Sequence, residues 1–155
     1  MARPSWDEYF MSLARLAATR STCLRRHVGA VIVKDRMMLS TGYNDTPRGI
    51  RNCGDGGCVR CGSTAAAGTG LDTCLCLHAE QNAIIQAAYH GVGIAGGTIY
   101  CTHQPCLTCA KMIVNAGLVR IVYSSPYPDP VAEQLLRDAA IELLHFTVEA
   151  PAPLS

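Results

Sequence analysis

His78-Ala79-Glu80 and Pro105-Cys106-Leu107-Thr108-Cys109 hold the residue types best suited to chemistry, with Pro105 standing 25 positions after Glu80. One imidazole and two thiolates supply three ligands for zinc and leave a fourth position open to water, which is the layout of a catalytic site. Glu80 is not needed as a ligand, so its carboxylate is free to carry protons. Cys106 and Cys109 are three apart, a spacing that puts them on one helix face. In a first helical turn the positive end of the dipole favours the thiolate that zinc requires. Each part has an ordinary explanation alone. C-x-x-C occurs in structural zinc sites and redox pairs, a histidine ahead of a helix is often a cap, and a first-turn glutamate complements the dipole. A structural site that adds Cys101 to Cys106 and Cys109 is another alternative, disfavoured by the turn at Pro105. Together, each at the start of an expected helix, the three parts point to catalysis.

A second set of sulfurs lies upstream. The chain has nine cysteines. In a reducing compartment an odd, high count reads as metal ligands and buried thiols before disulfides. Residues 44–77 are rich in Gly, Cys, Thr and Arg without a clear period, and so long a structureless stretch needs something to pin it. A structural zinc would do so. Spacing alone favours Cys58, Cys61, Cys74 and Cys76. Cys101, on an expected strand, reads as a buried free thiol.

The elements that must position these groups can be read from periodicity. Residues 6–20 carry Trp6, Tyr9, Phe10, Leu13, Leu16 and Ala17 at helical spacing, with Ser5 as N-cap and Asp7 and Glu8 in the first turn. Residues 28–33 and 37–43 read as paired strands joined through Lys34-Asp35-Arg36. Helices are expected over 79–90, closed by Gly91, over 106–116, ended by Gly117, and over 130–140. Strands are expected over 98–102, 119–123 and 145–148. The order predicts an α/β fold of three layers, α/β/α, with a mixed five-stranded sheet. One domain is expected over 1–150, with 151–155 as a tail.

Composition narrows the function classes. Apolar residues make up 49% and charged residues 16%, and the formal net charge is +1. So small a charge excludes a broad electrostatic footprint for long nucleic acid. No apolar run approaches the roughly 20 residues of a membrane span. Met1 to Asp7 lacks the apolar core of a signal peptide, so a cytoplasmic location is expected.

The His-x-Glu and Pro-Cys-x-x-Cys pair is a known signature of zinc deaminases acting on nucleobases. From about Trp6 to Phe146 the chain resembles the deoxycytidylate (dCMP) deaminases of the cytidine deaminase-like superfamily. The resemblance is carried by Cys23-Leu24-Arg25-Arg26-His27-Val28-Gly29-Ala30-Val31, Gly42-Tyr43-Asn44, His78 to Ile84, Pro105 to Lys111 and Asn115-Ala116-Gly117. Gly42-Tyr43-Asn44 followed by Pro47 and Gly49, with Gln81-Asn82-Ala83-Ile84, is similar to the dCMP branch in particular. The resemblance implies parallel final strands, frequent hexamers and a nucleotide substrate. It also implies Glu80 as proton shuttle, Asn44 on the sugar and the Ala79 N–H on the base carbonyl. Thr46, Arg26, Arg48 and Tyr127 are candidates for the rest of the nucleotide, with Arg25 and Arg51 also available. For the second zinc it implies Cys23, Cys53 and Cys76 with a varying fourth ligand, so the choice of cysteines stays open. One zinc is then catalytic and one structural. Asp45 stands where that family commonly has glycine, and a carboxylate there would repel a phosphate. Competing readings are deamination of dCTP, a nucleoside, guanine or a tRNA base, and a zinc-stabilised binding module without turnover.

Overall fold

The computed structural model describes residues 2–147. The elements are α1 (Trp6–Ala18), β1 (Gly29–Lys34), β2 (Met37–Tyr43), α2 (Ala79–His90), β3 (Thr98–His103), α3 (Leu107–Asn115), β4 (Arg120–Ser125), α4 (Pro130–Asp138) and β5 (Glu142–His145). Two 3₁₀ turns, Cys53–Asp55 and Leu71–Thr73, interrupt the long connection from β2 to α2.

The alternation along β1 sets the layers, because successive side chains of a strand face opposite ways. Ala30 and Ile32 join a cluster with Ala79, Ala83, Ala87, Ala110, Ile113 and Leu136 from the α2, α3 and α4 side. Val31 and Val33 join Phe10, Met11 and Ala14 of α1, with Tyr100 and Val122. Both faces of the sheet are therefore covered. Strand order is β2-β1-β3-β4-β5. The β1 pairs are antiparallel, whereas β3 with β4 and β4 with β5 run parallel. The expected three-layer fold with a mixed five-stranded sheet is the fold found.

Local signals account for most boundaries. Ser5 caps α1 reciprocally: Glu8 N–H donates to the Ser5 hydroxyl at 3.1 Å, and Ser5 N–H donates to the Glu8 carboxylate at 2.7 Å. The hairpin turn puts Asp35 at φ 52° and Arg36 at φ 61°. Such a turn matches the twist of the flanking strands. Gly91 ends α2 in the left-handed region.

Three expectations need correction. Among the described residues the last strand is Glu142–His145, three residues earlier than the expected start at 145, because its backbone pairs in register with Arg120 to Tyr123; position 148 of the expected span lies outside the described residues. Helix α1 stops at Ala18 and α4 at Asp138, where Thr19 and Ala139 are the C-caps. Cys106 is the N-cap of α3 and Ala116 its C-cap, so neither lies inside the helix. The expected domain limit at 150 and the tail 151–155 lie outside the described residues. Among the described residues no helix is long and apolar enough to cross a membrane.

Candidate metal centre

Two helix N-termini meet at one point, and separate fastenings fix each. For α2, Gly42 lets the helix approach β2 closely: a Cβ there would stand 2.2 Å from the Ala79 carbonyl oxygen. The Asn82 side-chain amide donates to the Tyr43 carbonyl at 2.8 Å, and the Ser40 hydroxyl donates to the Ala83 carbonyl at 2.6 Å. The N-cap of α2 is His78, whose N–H donates to the Gln81 side-chain oxygen at 2.7 Å. For α3, the Leu107 N–H donates to Asp129 Oδ2 at 3.1 Å, while Asp129 Oδ1 accepts the Ala132 N–H at 3.0 Å. Asp129 thus joins the starts of α3 and α4.

His78 Nδ1 lies 3.2 Å from Cys109 Sγ and 3.4 Å from Cys106 Sγ. The three donor atoms all fall within 4.8 Å of one another. Nitrogen and sulfur ligands about 2.0 and 2.3 Å from one tetrahedral centre would be about 3.5 Å apart. The residues present therefore fit zinc in both donor chemistry and spacing. Cys101 is not among the residues that converge. It is fully buried on β3, where burial and then the Glu80 charge push its thiol well above the usual range.

Glu80 is 4% exposed and its Oε2 stands 3.7 Å from Cys109 Sγ. Burial pushes its carboxyl above the usual carboxylate range. The Cys106 contact holds His78 above its ordinary value. The contacts with the Cys109 thiol and then the His78 ring pull the Cys106 thiol down to about 4. The same contact and burial push Cys109 up.

The candidate substrate residues are distributed unevenly. Ala79, fully buried, opens α2, and its N–H is among the first-turn amides without an intrahelical acceptor. The Asn44 side chain accepts the Val28 N–H at 2.8 Å and donates to the Arg26 carbonyl at 2.7 Å, tying two loops beside the site. The Thr46 hydroxyl donates to the Arg51 carbonyl at 2.8 Å. Arg48 lies against α2, with its guanidinium 4.5 Å from the Tyr89 ring and donating to Gln86 at 3.0 Å. Arg26 instead sits over Tyr127, 5.9 Å from the ring centroid. Sequence reading missed two residues here. His103 ends β3, and burial and then the Arg26 charge hold its imidazole below the ordinary value. Gln104 is buried, accepts the Tyr127 N–H at 3.0 Å and donates to Glu133 at 2.8 Å. Their signal was position alone, at the carboxyl end of a parallel strand where α/β sheets gather ligands.

Asp45 does not project into open space. Its two carboxylate oxygens accept the N–H groups of Thr22, Thr46 and Cys53 and the Thr22 hydroxyl. Burial alone would raise its carboxyl, but the N–H groups of Cys53, Thr22 and Thr46 outweigh that and hold it below the usual range. The six upstream cysteines form one cluster with no other residue type in it. Two groups of four have their sulfurs within 4.8 Å: Cys23, Cys53, Cys61 and Cys76, and Cys58, Cys61, Cys74 and Cys76. Both ligand sets drawn from the sequence are thus close enough to bind.

Residues 4–125 match the model of the cytidine and deoxycytidylate deaminase zinc-binding region. A deoxycytidylate deaminase of Schizosaccharomyces pombe is 48% identical over 93% of this chain and 45% of its own length. The chain thus spans about half the length of that relative. A deoxycytidylate deaminase of Mycobacterium phage D29 is 42% identical over 79% of this chain and 97% of its own length. The solved dCMP deaminase of cyanophage S-TIM5, in complex with dCMP and dUMP, superposes with a TM-score of 0.75 at 31% identity. That comparison covers 94% of this chain and 100% of the phage chain.

Proposed function

The chain belongs to the cytidine and deoxycytidylate deaminase zinc-binding family, and from that premise we propose that it deaminates dCMP hydrolytically to dUMP and ammonia. The observation that carries the reading is the buried Glu80 carboxyl 3.7 Å from Cys109 Sγ, beside a His78, Cys106 and Cys109 donor set that fits zinc.

His78, Cys106 and Cys109 would hold the zinc, which would supply Lewis acidity and a water of lowered pKa. Glu80 takes a proton from the attacking water and hands it to ring N3 as C4 becomes tetrahedral. It then moves the hydroxyl proton to the amino group, and ammonia leaves as the C4 carbonyl forms. Burial, which raises the Glu80 carboxyl, suits a group that must both take and give protons near neutral pH. The Ala79 N–H reads the base carbonyl, Asn44 holds the sugar, and Thr46 offers a hydroxyl on the phosphate side. Arg26 is the phosphate ligand of choice. It is exposed and makes no ion pair among the described residues, and it stands beside Tyr127 and His103. Arg48 is already engaged with Tyr89 and Gln86. One domain over 1–150, a structural metal site in the 44–77 connection, homo-oligomeric assembly and a cytoplasmic location complete the reading.

The test is turnover of cytidine, deoxycytidine, dCMP and dCTP by the zinc-loaded chain, followed by loss of cytosine absorbance. Selective turnover of dCMP is expected. Turnover of another member reassigns the pocket, and silence across the panel, guanine and tRNA included, removes the enzyme reading.

A further inference from the structure

We propose that the cysteine cluster is a two-metal centre, in which six thiolates hold two zinc ions and Cys61 and Cys76 bridge them. The first ion takes Cys23, Cys53, Cys61 and Cys76, and the second takes Cys58, Cys61, Cys74 and Cys76. This resolves the excess of six candidate ligands over the four positions of a single tetrahedral site.

Three observations carry it. The two groups overlap in two members only, which is the count that two tetrahedra sharing an edge require. Cys61 Sγ lies 4.0 Å from Cys23, 3.7 Å from Cys74 and 3.9 Å from Cys76, so it neighbours both groups at once. Cys58 and Cys74, exclusive to the second group, are 3.9 Å apart. Two sulfurs about 2.3 Å from one tetrahedral zinc stand about 3.8 Å apart.

Backbone donors then divide the sulfurs. Cys23 accepts the Arg25 N–H at 3.5 Å, Cys53 the Leu24 N–H at 3.5 Å and Cys58 the Leu75 N–H at 3.3 Å. All three are unshared sulfurs, and they come from both groups; the fourth unshared sulfur, Cys74, accepts no such bond among the described residues. Among the described residues Cys61 and Cys76 accept no such bond. A bridging thiolate directs its extra lone pair at the second metal, so the shared sulfurs are the ones expected to lack N–H donors.

Charge agrees as well. Two Zn²⁺ ions displacing six thiol protons leave a centre of net charge −2. Arg25 reaches the Cys61 carbonyl, and the buried Arg60 precedes Cys61 in the chain. Arg25 donates to the carbonyls of Cys61, Ser63 and Ala65, and Arg60 to those of Ala66 and Thr69. Neither meets a carboxylate among the described residues. Two unpaired guanidiniums match two excess negative charges.

The experiment counts zinc by native mass spectrometry in the full chain carrying Cys106→Ala and Cys109→Ala. That background reports the cluster alone and is indifferent to the deaminase reading. Two ions are expected, and one ion overturns the proposal. Adding Cys58→Ser and Cys74→Ser is expected to lower the count to one, and an unchanged count also overturns it. Should the added pair prevent folding, ¹¹³Cd substitution with all six sulfurs intact decides. Two mutually coupled resonances are expected from ions sharing a sulfur, and a single resonance refutes the bridge.

Discussion

Thr22 gives both its N–H and its hydroxyl to one oxygen of Asp45, each at 2.8 Å. The other oxygen serves Thr46 and Cys53, and the Asp45 carbonyl accepts the Leu77 N–H at 2.8 Å. One residue thereby joins the strand end, the segment bearing Cys23, the 3₁₀ turn at Cys53 and the approach to His78.

Asp45→Ala strands three backbone N–H groups, and unmet buried donors cost roughly 1–3 kcal/mol each. A stability loss of about 3 kcal/mol is expected in urea melts of the zinc-loaded chain, with Asp45→Asn losing less. Equal stability of the alanine variant and the parent would contradict the role.

Glu80→Gln keeps the size of the side chain and removes its proton traffic. Turnover is expected to fall by about 10²–10⁴-fold, with zinc content and thermal midpoint held. A variant that retained a tenth of the parent rate would move the shuttle to another group.

Gly42→Ala pushes a methyl group into the Ala79 carbonyl and the Ala83 N–H, 2.2 and 2.5 Å away. Backbone cannot swing aside as a side chain can, so the expected cost is about 3 kcal/mol, the upper end for overpacking. Because the same turn of α2 carries His78 and Glu80, kcat should drop alongside Tm. Loss of stability with kcat intact would show that the helix start tolerates displacement.

Asp7 offers a pH test away from the metal ligands. Arg120 binds it through both nitrogens, at 2.9 and 3.0 Å, and the Tyr100 hydroxyl donates to it at 2.6 Å. The Arg120 hydrogen bond holds the Asp7 carboxyl below its ordinary 3.8. A depressed pKa stabilises the fold fully above the unfolded value and fades as pH falls through the folded one. Asp7→Asn should therefore cost about 1–2 kcal/mol at pH 7, and the gap to the parent should close as pH falls through the depressed folded value. A gap that persisted in strong acid would assign the effect to packing.

The convergence of His78, Cys106 and Cys109 was legible because its cues are local: residue type, a helix start and a fixed spacing. Ser5, Gly91 and the apolar run of residues 28–33 were legible for the same reason. Asp129 was passed over: it caps α4 through Ala132, and its second bond, to Leu107, depends on how two helices meet. Asp45 was misleading: sequence offered a bare carboxylate, and only tertiary contacts reveal the four donors that occupy it. Arg26 and Arg48 looked alike in sequence, yet Tyr89 and Gln86 occupy one while the other faces His103. The six cysteines could be counted from sequence, but their sharing depends on loop paths that carry no period.

The connection between β2 and α2 has sulfur where other segments have aliphatic packing. Val59, Leu71 and Leu75 point largely into solvent, at 84%, 49% and 48% exposure, while Cys53, Cys58 and Cys61 are buried. Closing an unrestrained stretch such as 53–76 costs chain entropy of roughly 3 kcal/mol, and this one has almost no oil to offset it. Crosslinks remove that entropy from the unfolded chain. Leu77, hydrogen-bonded to Asp45 and lying between Cys76 and His78, links the cysteine cluster to the first donor of the candidate metal centre, so order gained at the sulfurs passes along two residues of backbone.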